Sequence, residues 1–237
     1  AVLVRFVGYV MRHYHQTTGG AVFMRAQDRD YGTMKPSLFR DLRHGTLGQY
    51  LEAYEAFIKG IKREFAQDRF KTREVGALLQ HYGIKTPWLD VVDNLYTAMW
   101  FATSGLPLGR AAKESWLFLI GTGGDALPSL RVENLRTKHS SLTLRAHAQH
   151  GFSLTRPPAV IWNEQNVCFN EYVLAAVRIE KPSEWAMSGK LCDRAFFFPS
   201  ADADHTFGVL RSHRMKNVLA SATSRAGLPS DALGTLG

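Results

Sequence analysis

Residues 47–65 carry apolar side chains at steps of three and four, the spacing of one face of an α-helix. The positions are Leu51, Tyr54, Ile58, Ile61 and Phe65. The pattern predicts an amphipathic helix that packs against a core. Similar but shorter patterns predict helices over about residues 72–82 and 94–104, and a weaker one indicates helix over residues 1–18.

Short continuous apolar runs predict buried strands. The clearest run covers residues 116–120 and is closed by Gly121, Thr122, Gly123 and Gly124. The other candidates are residues 21–24, 159–162, 172–179 and 195–198. Helices therefore dominate the first half of the chain and strands the second. This order predicts an α+β (mixed α/β) fold around one core.

The length of 237 residues fits one domain, and an apolar fraction of 45% is enough to build its core. We predict a main domain over residues 21–205, an N-terminal helical extension over residues 1–20, and a C-terminal extension or tail over residues 206–237. The last dozen residues are rich in Ala, Ser, Gly and Leu. They predict a frayed tail or a linker.

The chain is basic, with a net charge of +8 and a pI near 9.6. This charge favours a polyanionic partner such as RNA or DNA, although scattered positive residues equally fit a solvated surface. Cys168 and Cys192 lie far apart and lack the spacing of a thiolate zinc site. No apolar run approaches the roughly 20 residues that span a bilayer. We expect a cytoplasmic protein without a membrane partner.

A polar cluster lies between residues 80 and 90, directly before the helical pattern that begins near residue 94. Its polar members are Gln80, His81, Thr86 and Asp90, and Gly83 interrupts them. Free N–H groups at the start of a helix attract ligands, so polar side chains on such a turn indicate a binding site.

Several blocks of the sequence resemble the FRG domain, a bacterial module. The first block is Phe23-Met24-Arg25-Ala26-Gln27, followed by Pro36-Ser37-Leu38. The second contains Gln80-His81-Tyr82-Gly83, Thr86, Leu89-Asp90 and the helix Ala98-Met99-Trp100-Phe101-Ala102. The residues Arg145, Gln149 and Gly151-Phe152-Ser153 resemble the third block of the family. The last block is Phe198-Pro199-Ser200-Ala201-Asp202. Pro87 and Val91-Val92 depart from the family pattern, which has polar residues there.

The order of these blocks is similar to that of ADP-ribosyltransferases. The resemblance implies an ADP-ribosyltransferase-like fold that binds NAD as substrate and transfers ADP-ribose to a macromolecular acceptor. It also implies a toxin or effector, acting in phage defence and paired with a neutralising antitoxin. The positive charge slightly favours a nucleic-acid acceptor over a protein.

The resemblance assigns cofactor binding to Arg25, Gln27, Tyr82, Thr86 and Arg145. The guanidinium of Arg25 suits bidentate contact with a pyrophosphate, and the alternative is a structural ion pair. Tyr82 offers an aromatic face to the nicotinamide ring. Thr86 suits a hydroxyl–carboxylate pair that holds the site loop, and helix capping is its alternative role.

The resemblance assigns catalytic roles to His81, Asp90 and Gln149. An imidazole can orient a ribose, although a histidine beside glycine is also typical of a turn. Capping competes with catalysis for Asp90. Gln149 occupies the place where such transferases carry Glu, and a carboxylate normally steadies the oxocarbenium-like charge. An amide lacks that charge, so turnover should be slow unless Glu164 or Glu171 helps.

Two other patterns are weak. His147 and His150 lack a third ligand and a nearby carboxylate, so we predict no metal site. The glycines after residue 120 lack the ending of a phosphate-binding loop. Two rival functions stay open: a nucleotide-binding sensor without transfer activity, and a nucleic-acid-binding or interaction module.

Overall fold

The computed structural model describes residues 1–40, 42–64, 72–103, 114–123, 130–138, 143–156, 167–185 and 193–235. Within these ranges the chain forms a mixed α+β fold with one six-stranded sheet, and every strand pairing is antiparallel. The predicted fold class is therefore confirmed at the level of α+β.

The sheet has the strand order β4-β5-β2-β1-β3-β6. The strands are β1 (Ala21–Gln27), β2 (Leu89–Val92), β3 (Glu114–Thr122), β4 (Arg131–Asn134), β5 (Gly151–Thr155) and β6 (Val173–Glu180). Strand β3, which lies between β1 and the edge strand β6, is buried on both faces, because Leu117 and Leu119 face one core and Phe118 and Ile120 face another. That burial explains its unbroken apolar sequence.

The longer helices match the predicted periodicity. They are α1 (Val2–Thr18), α2 (Leu47–Glu64), α3 (Thr72–Leu79) and α4 (Leu95–Thr103). The later helices are α5 (Leu135–Lys138), α6 (Leu144–Ala148), α7 (Arg194–Phe197), α8 (His205–Leu210) and α9 (His213–Arg225). Short 3-10 turns cover Ser37–Phe39, Gln80–Tyr82, Asn170–Tyr172 and Pro182–Trp185. No helix in the described ranges is long and apolar enough to cross a membrane.

The predicted distribution of strands is wrong, because strands run through the whole chain. Strand β2 lies inside the segment that was expected to be a loop before a helix, and β5 lies in a polar stretch. The strand predicted over residues 195–198 is wrong, because residues 195–197 lie in helix α7 and Phe198 is its C-cap. The carboxylate of Asp193 caps the start of this helix by accepting from the Ala195 N–H. The strand predicted over residues 159–162 lies outside the described residues.

Each face of the sheet carries its own apolar cluster. On one face, α1 and α4 pack on β1 and β3 through a cluster that includes Val7, Met24, Ala98 and Leu119. On the other face an aromatic cluster contains Phe23, Phe118, Phe152, Phe169 and Tyr172. A larger helical core joins α2, α3 and α9.

The C-terminal residues belong to this helical core. Helix α9 packs against α2, and beyond it Leu228 and Leu233 are buried. The backbone N–H of Lys85 donates to the Leu233 carbonyl at 2.7 Å. The expectation of a frayed tail or a linker is therefore wrong for residues 226–235. The boundary between residues 205 and 206 stays a prediction.

Candidate functional site

Strands β1 and β2 separate soon after they meet, and this separation creates the site. Their register contains one residue pair, Met24 opposite Val92. Beyond that pair, Nη1 of Arg25 donates to the Asp90 carbonyl at 2.6 Å. The guanidinium thus replaces a missing ladder hydrogen bond and holds the two strands at a fixed distance.

A cavity of about 230 Å³ lies at this gap. Its polar lining consists of Arg25, Gln80, His81, Asp90 and Gln149. The apolar lining is Met24, Ala26, Val91, Val92, Ala98, Phe101 and Phe198. Three sequence blocks far apart in the chain, represented by Arg25, His81 and Gln149, therefore meet at one place.

Arg25 gives the cavity a positive charge. Burial lowers the pKa of its guanidinium to about 10, with a further contribution from repulsion by Arg40 and an opposing one from Asp90. The side chain is therefore still a cation at neutral pH. Its Nε is buried and has no hydrogen-bond partner among the described residues. An anionic or acceptor group of a ligand would satisfy it.

His81 is held between Gln149 and Asp90. Its Nδ1 lies 2.7 Å from Oε1 of Gln149, and the Gln149 amide nitrogen donates to the Phe197 carbonyl at 2.7 Å. The Nε2 of His81 lies 3.7 Å from Oδ1 of Asp90. The His81 side chain is only 4% exposed, whereas that of Asp90 is 30% exposed. These three side chains form one polar wall of the cavity.

A second network fixes Gln80. Its Oε1 accepts from the hydroxyl of Ser37 at 2.8 Å and from that of Thr86 at 2.6 Å. Each hydroxyl in turn accepts a backbone N–H, Ser37 from Thr86 and Thr86 from Trp88. The Oε1 atom of Gln80 is therefore occupied by donors of the protein, and the residue lines the cavity in a fixed position.

Thr86 does not line the cavity and does not cap a helix. It is fully buried and connects the first and second motif blocks through Gln80. Helix α4 is capped instead by Asn94, whose Oδ1 accepts from the Thr97 N–H at 3.2 Å. The proposed capping role of Thr86 and Asp90 is therefore wrong, and Asp90 lies within strand β2.

Tyr82 and Arg145 lie behind the cavity around Asp204. One carboxylate oxygen of Asp204 accepts from the Tyr82 hydroxyl at 2.8 Å and from the Arg145 backbone N–H at 3.0 Å. The guanidinium of Arg145 lies 3.6 Å from the centre of the Phe207 ring. Burial and then the charge of Asp204 raise the pKa of Tyr82, while burial lowers that of Arg145. Neither residue lines the cavity, so the structure does not bring their side chains to the ligand space.

Gln27 and Glu171 also lie elsewhere. Gln27 lines a separate cavity of about 300 Å³ beside Asn170. Glu171 pairs with the buried Arg156. Glu164 lies outside the described residues. Within those residues, no group of three or more His, Cys, Asp or Glu side chains is arranged to hold a metal ion.

The cluster of Asp93, Arg136 and His150 was missed from the sequence. Nη2 of Arg136 donates to Asp93 at 2.6 Å, and Nη1 lies 3.0 Å from Nδ1 of His150. His150 adopts a positive φ of 50°, which is uncommon for a residue other than glycine. The sequence pointed to His150 only as a weak metal-ligand candidate and gave no sign of its partners Asp93 and Arg136.

Comparison with known proteins identifies part of the chain. Residues 20–107 match the family model of the FRG domain. The predicted FRG resemblance is thereby confirmed over β1, α2, α3, β2 and α4. A search of the curated proteins and a search of the solved structures each found no match.

The FRG segment supplies most of the cavity. Arg25, Gln80, His81, Asp90 and Phe101 lie within it, while Gln149 and Phe198 come from the later part of the chain. The catalytic and cofactor-binding roles stay predictions.

Proposed function

We propose that this FRG protein is an NAD-dependent ADP-ribosyltransferase of the cytoplasm with an ADP-ribosyltransferase-like fold. The observation that carries the proposal is the meeting of Arg25, His81 and Asp90 around one cavity. A cation for phosphate, an imidazole and a carboxylate are the groups that such a transfer needs.

The transfer breaks the bond between nicotinamide and C1′ of the ribose, and nicotinamide leaves with the electron pair. The acceptor's nucleophile then bonds to C1′ and releases its proton. Between the departure of nicotinamide and the attack of the acceptor, positive charge develops on the ribose. A carboxylate beside the ribose stabilises this charge and lowers the barrier. Asp90 is the carboxylate that lines the cavity, so it takes the role that the sequence alone gave to Gln149.

The size and walls of the cavity support binding of one end of a dinucleotide. Its volume of about 230 Å³ lies below the roughly 300–1,000 Å³ of sites for drug-sized ligands. Phe101 and Phe198 provide aromatic surface for a flat ring. The guanidinium of Arg25, which lines the cavity, supports contact with a phosphate of the ligand.

The acceptor in this proposal is a macromolecule, with RNA or DNA favoured over protein. Support comes from the net charge of +8. Such an activity would harm the cell that makes it, which fits a toxin used in phage defence and held by a neutralising partner. Expression should stop growth, and expression of the Arg25→Ala variant should not.

Nicotinamide release tests the enzymatic proposal. The purified chain is mixed with NAD, and free nicotinamide is measured with wild type, Arg25→Ala and Asp90→Asn. Removing a group that stabilises transition-state charge should lower the rate about 100-fold or more. Arg178→Ala serves as the matched control, because that arginine lies on the far edge strand and is 53% exposed.

Calorimetry separates binding from chemistry in the same variants. Arg25→Ala should weaken NAD binding by about 10- to 100-fold, the usual value of a charge-assisted hydrogen bond. Asp90→Asn should bind NAD nearly as well as wild type. A folded Arg25→Ala variant with unchanged affinity contradicts the assignment of the phosphate contact. ADP-ribose found by mass spectrometry on RNA, DNA or protein identifies the acceptor.

A nucleotide-binding module without transfer activity is the second candidate. It is favoured by one observation: an amide, Gln149, stands where a transferase of the proposed kind has a carboxylate, and both its polar ends contact protein. NAD binding without nicotinamide release would support this candidate over the enzyme. Salt-sensitive binding of nucleic acid without any NAD dependence would instead support an interaction module.

A further inference from the structure

The orientation of the Gln149 amide determines where the proton of His81 lies. The Phe197 carbonyl accepts a hydrogen bond and cannot donate one, so the nitrogen of the amide must face it. The oxygen of Gln149 therefore faces His81, 2.7 Å from Nδ1. Because this oxygen only accepts, Nδ1 of His81 must carry the proton.

A neutral His81 with its proton on Nδ1 has a lone pair on Nε2. That atom lies 3.7 Å from Oδ1 of Asp90, which is also a hydrogen-bond acceptor. Both atoms are buried, and neither has a hydrogen-bond partner among the described residues. Two buried acceptors that face each other are unfavourable until a donor reaches them.

The backbone at Gly151 also holds the imidazole in place. A Cβ at this position would lie 2.9 Å from Cε1 of His81 and 3.1 Å from Nε2. The ring thus lies directly against the start of strand β5. With Gln149 on one side and Gly151 on another, His81 has a fixed position and a fixed tautomer.

We infer that Gln149 is a positioning residue, and that it makes Nε2 of His81 and Oδ1 of Asp90 a pair of acceptors, each for one hydroxyl group of the ligand. The assignment of these hydroxyl groups to a ribose rests on the proposed function. The inference about Gln149 itself rests on the hydrogen bonds of the protein alone.

Gln149→Glu separates this role from a direct role in catalysis. If Gln149 replaces a catalytic carboxylate, the glutamate variant should release nicotinamide faster. If it positions His81, the carboxylate faces the Phe197 carbonyl and favours the doubly protonated imidazole, so that Nε2 becomes a donor. The rate should then fall at least 10-fold, which is about 1.4 kcal/mol of lost transition-state stabilisation.

Nitrogen-15 NMR of the histidine side chains tests the inference without any turnover. At mildly alkaline pH, wild type should show His81 protonated at Nδ1 alone, with the signal assigned by its loss in His81→Asn. Gln149→Glu should show both nitrogens protonated, and Gln149→Met should show a mixture of the two tautomers. Gln16→Glu, on the exposed side of α1, should leave the His81 signal unchanged.

Two results would overturn the inference. One is a wild-type His81 protonated at Nε2, and the other is a Gln149→Glu variant that releases nicotinamide faster than wild type. If wild type releases no nicotinamide, the proposed function fails, and the NMR result still decides the role of Gln149. Gln149→Met covers the case in which the glutamate variant does not fold, because it removes the hydrogen bonds without adding a charge.

Discussion

Asp204 organises more of the site than any single residue suggested by the sequence. It is fully buried, and besides Tyr82 and Arg145 it accepts from the Phe207 N–H at 3.0 Å, which caps helix α8. One carboxylate thus connects the turn that carries His81, the helix that leads to Gln149, and the C-terminal helices. The family block had pointed to Asp202, which is exposed.

We expect Asp204→Ala to lower the free energy of unfolding by about 3 kcal/mol or more. The substitution leaves the Tyr82 hydroxyl and two backbone N–H groups buried without an acceptor, and each such loss is costly. Urea unfolding followed by circular dichroism measures the change. Asp202→Ala is the control and should stay within about 0.5 kcal/mol of wild type. Equal effects of the two substitutions would contradict the central role of Asp204.

At the level of residues, the sequence pointed to several side chains that line the cavity, but not to the contacts that each of them makes. Arg25, His81, Asp90 and Gln149 were chosen as polar groups in family blocks, and they do line the cavity. Thr86 and Arg145 were chosen on the same ground, yet the Thr86 hydroxyl donates to Gln80 and the Arg145 guanidinium donates to the His81 carbonyl. Local sequence cannot separate these cases, because the difference depends on partners 49 and 59 positions away, namely Ser37 for Thr86 and Asp204 for Arg145.

At the level of elements, the crossing of α2 and α9 depends on a glycine. A Cβ at Gly60 would lie 2.3 Å from Cγ1 of Val218, so the two helices approach closely at this point. Glycine normally weakens a helix by about 1 kcal/mol relative to alanine. Close packing of α9 against α2 compensates for that loss.

Gly60→Ala should therefore destabilise the protein by about 1–3 kcal/mol, the usual cost of overpacking. Gly48→Ala in the same helix should not, because the nearest atom to its Cβ is a Thr46 hydroxyl at 3.8 Å. The double variant Gly60→Ala with Val218→Ala should recover much of the loss, since it removes the clashing methyl group. Thermal unfolding of wild type, of the single variants Gly60→Ala, Gly48→Ala and Val218→Ala, and of the double variant measures these differences. An additive double variant would show that the two positions do not contact.

The longer helices and strands were easier to predict from the sequence than the shorter ones. Helices α1, α2 and α4 contain repeated apolar positions, and β3 contains a long apolar run, so each of these patterns predicted its element. Strands β2 and β5 have 4 and 5 residues and include Asp90 and Ser153, so they lack an apolar pattern. Residues 195–198 are apolar and aromatic, and the run is too short for its pattern to distinguish a strand from a helix. The cap by Asp193 stabilises the helix.

At the level of the whole molecule, the FRG match is shorter than the unit that folds. Within residues 20–107, β1 and β2 are paired through Met24 and Val92. The long partner of β1 is β3, which pairs with it from Ala21 to Gln27, and the partner of β2 is β5. Both partners lie beyond residue 107, as does Gln149 of the cavity.

A fragment of residues 20–107 should therefore not fold alone. Its two strands would keep little of their backbone hydrogen bonding, and their buried faces would be exposed to water. We expect poorly dispersed amide signals by NMR and no cooperative melting by circular dichroism, whereas the complete chain should melt cooperatively. Mixing the fragment with residues 108–237 provides the matched comparison, because only the mixture contains both partners of β1 and β2. A cooperative transition in the isolated fragment would show that the matched segment has a core of its own, and the site would then depend on the rest of the chain only through Gln149 and Phe198.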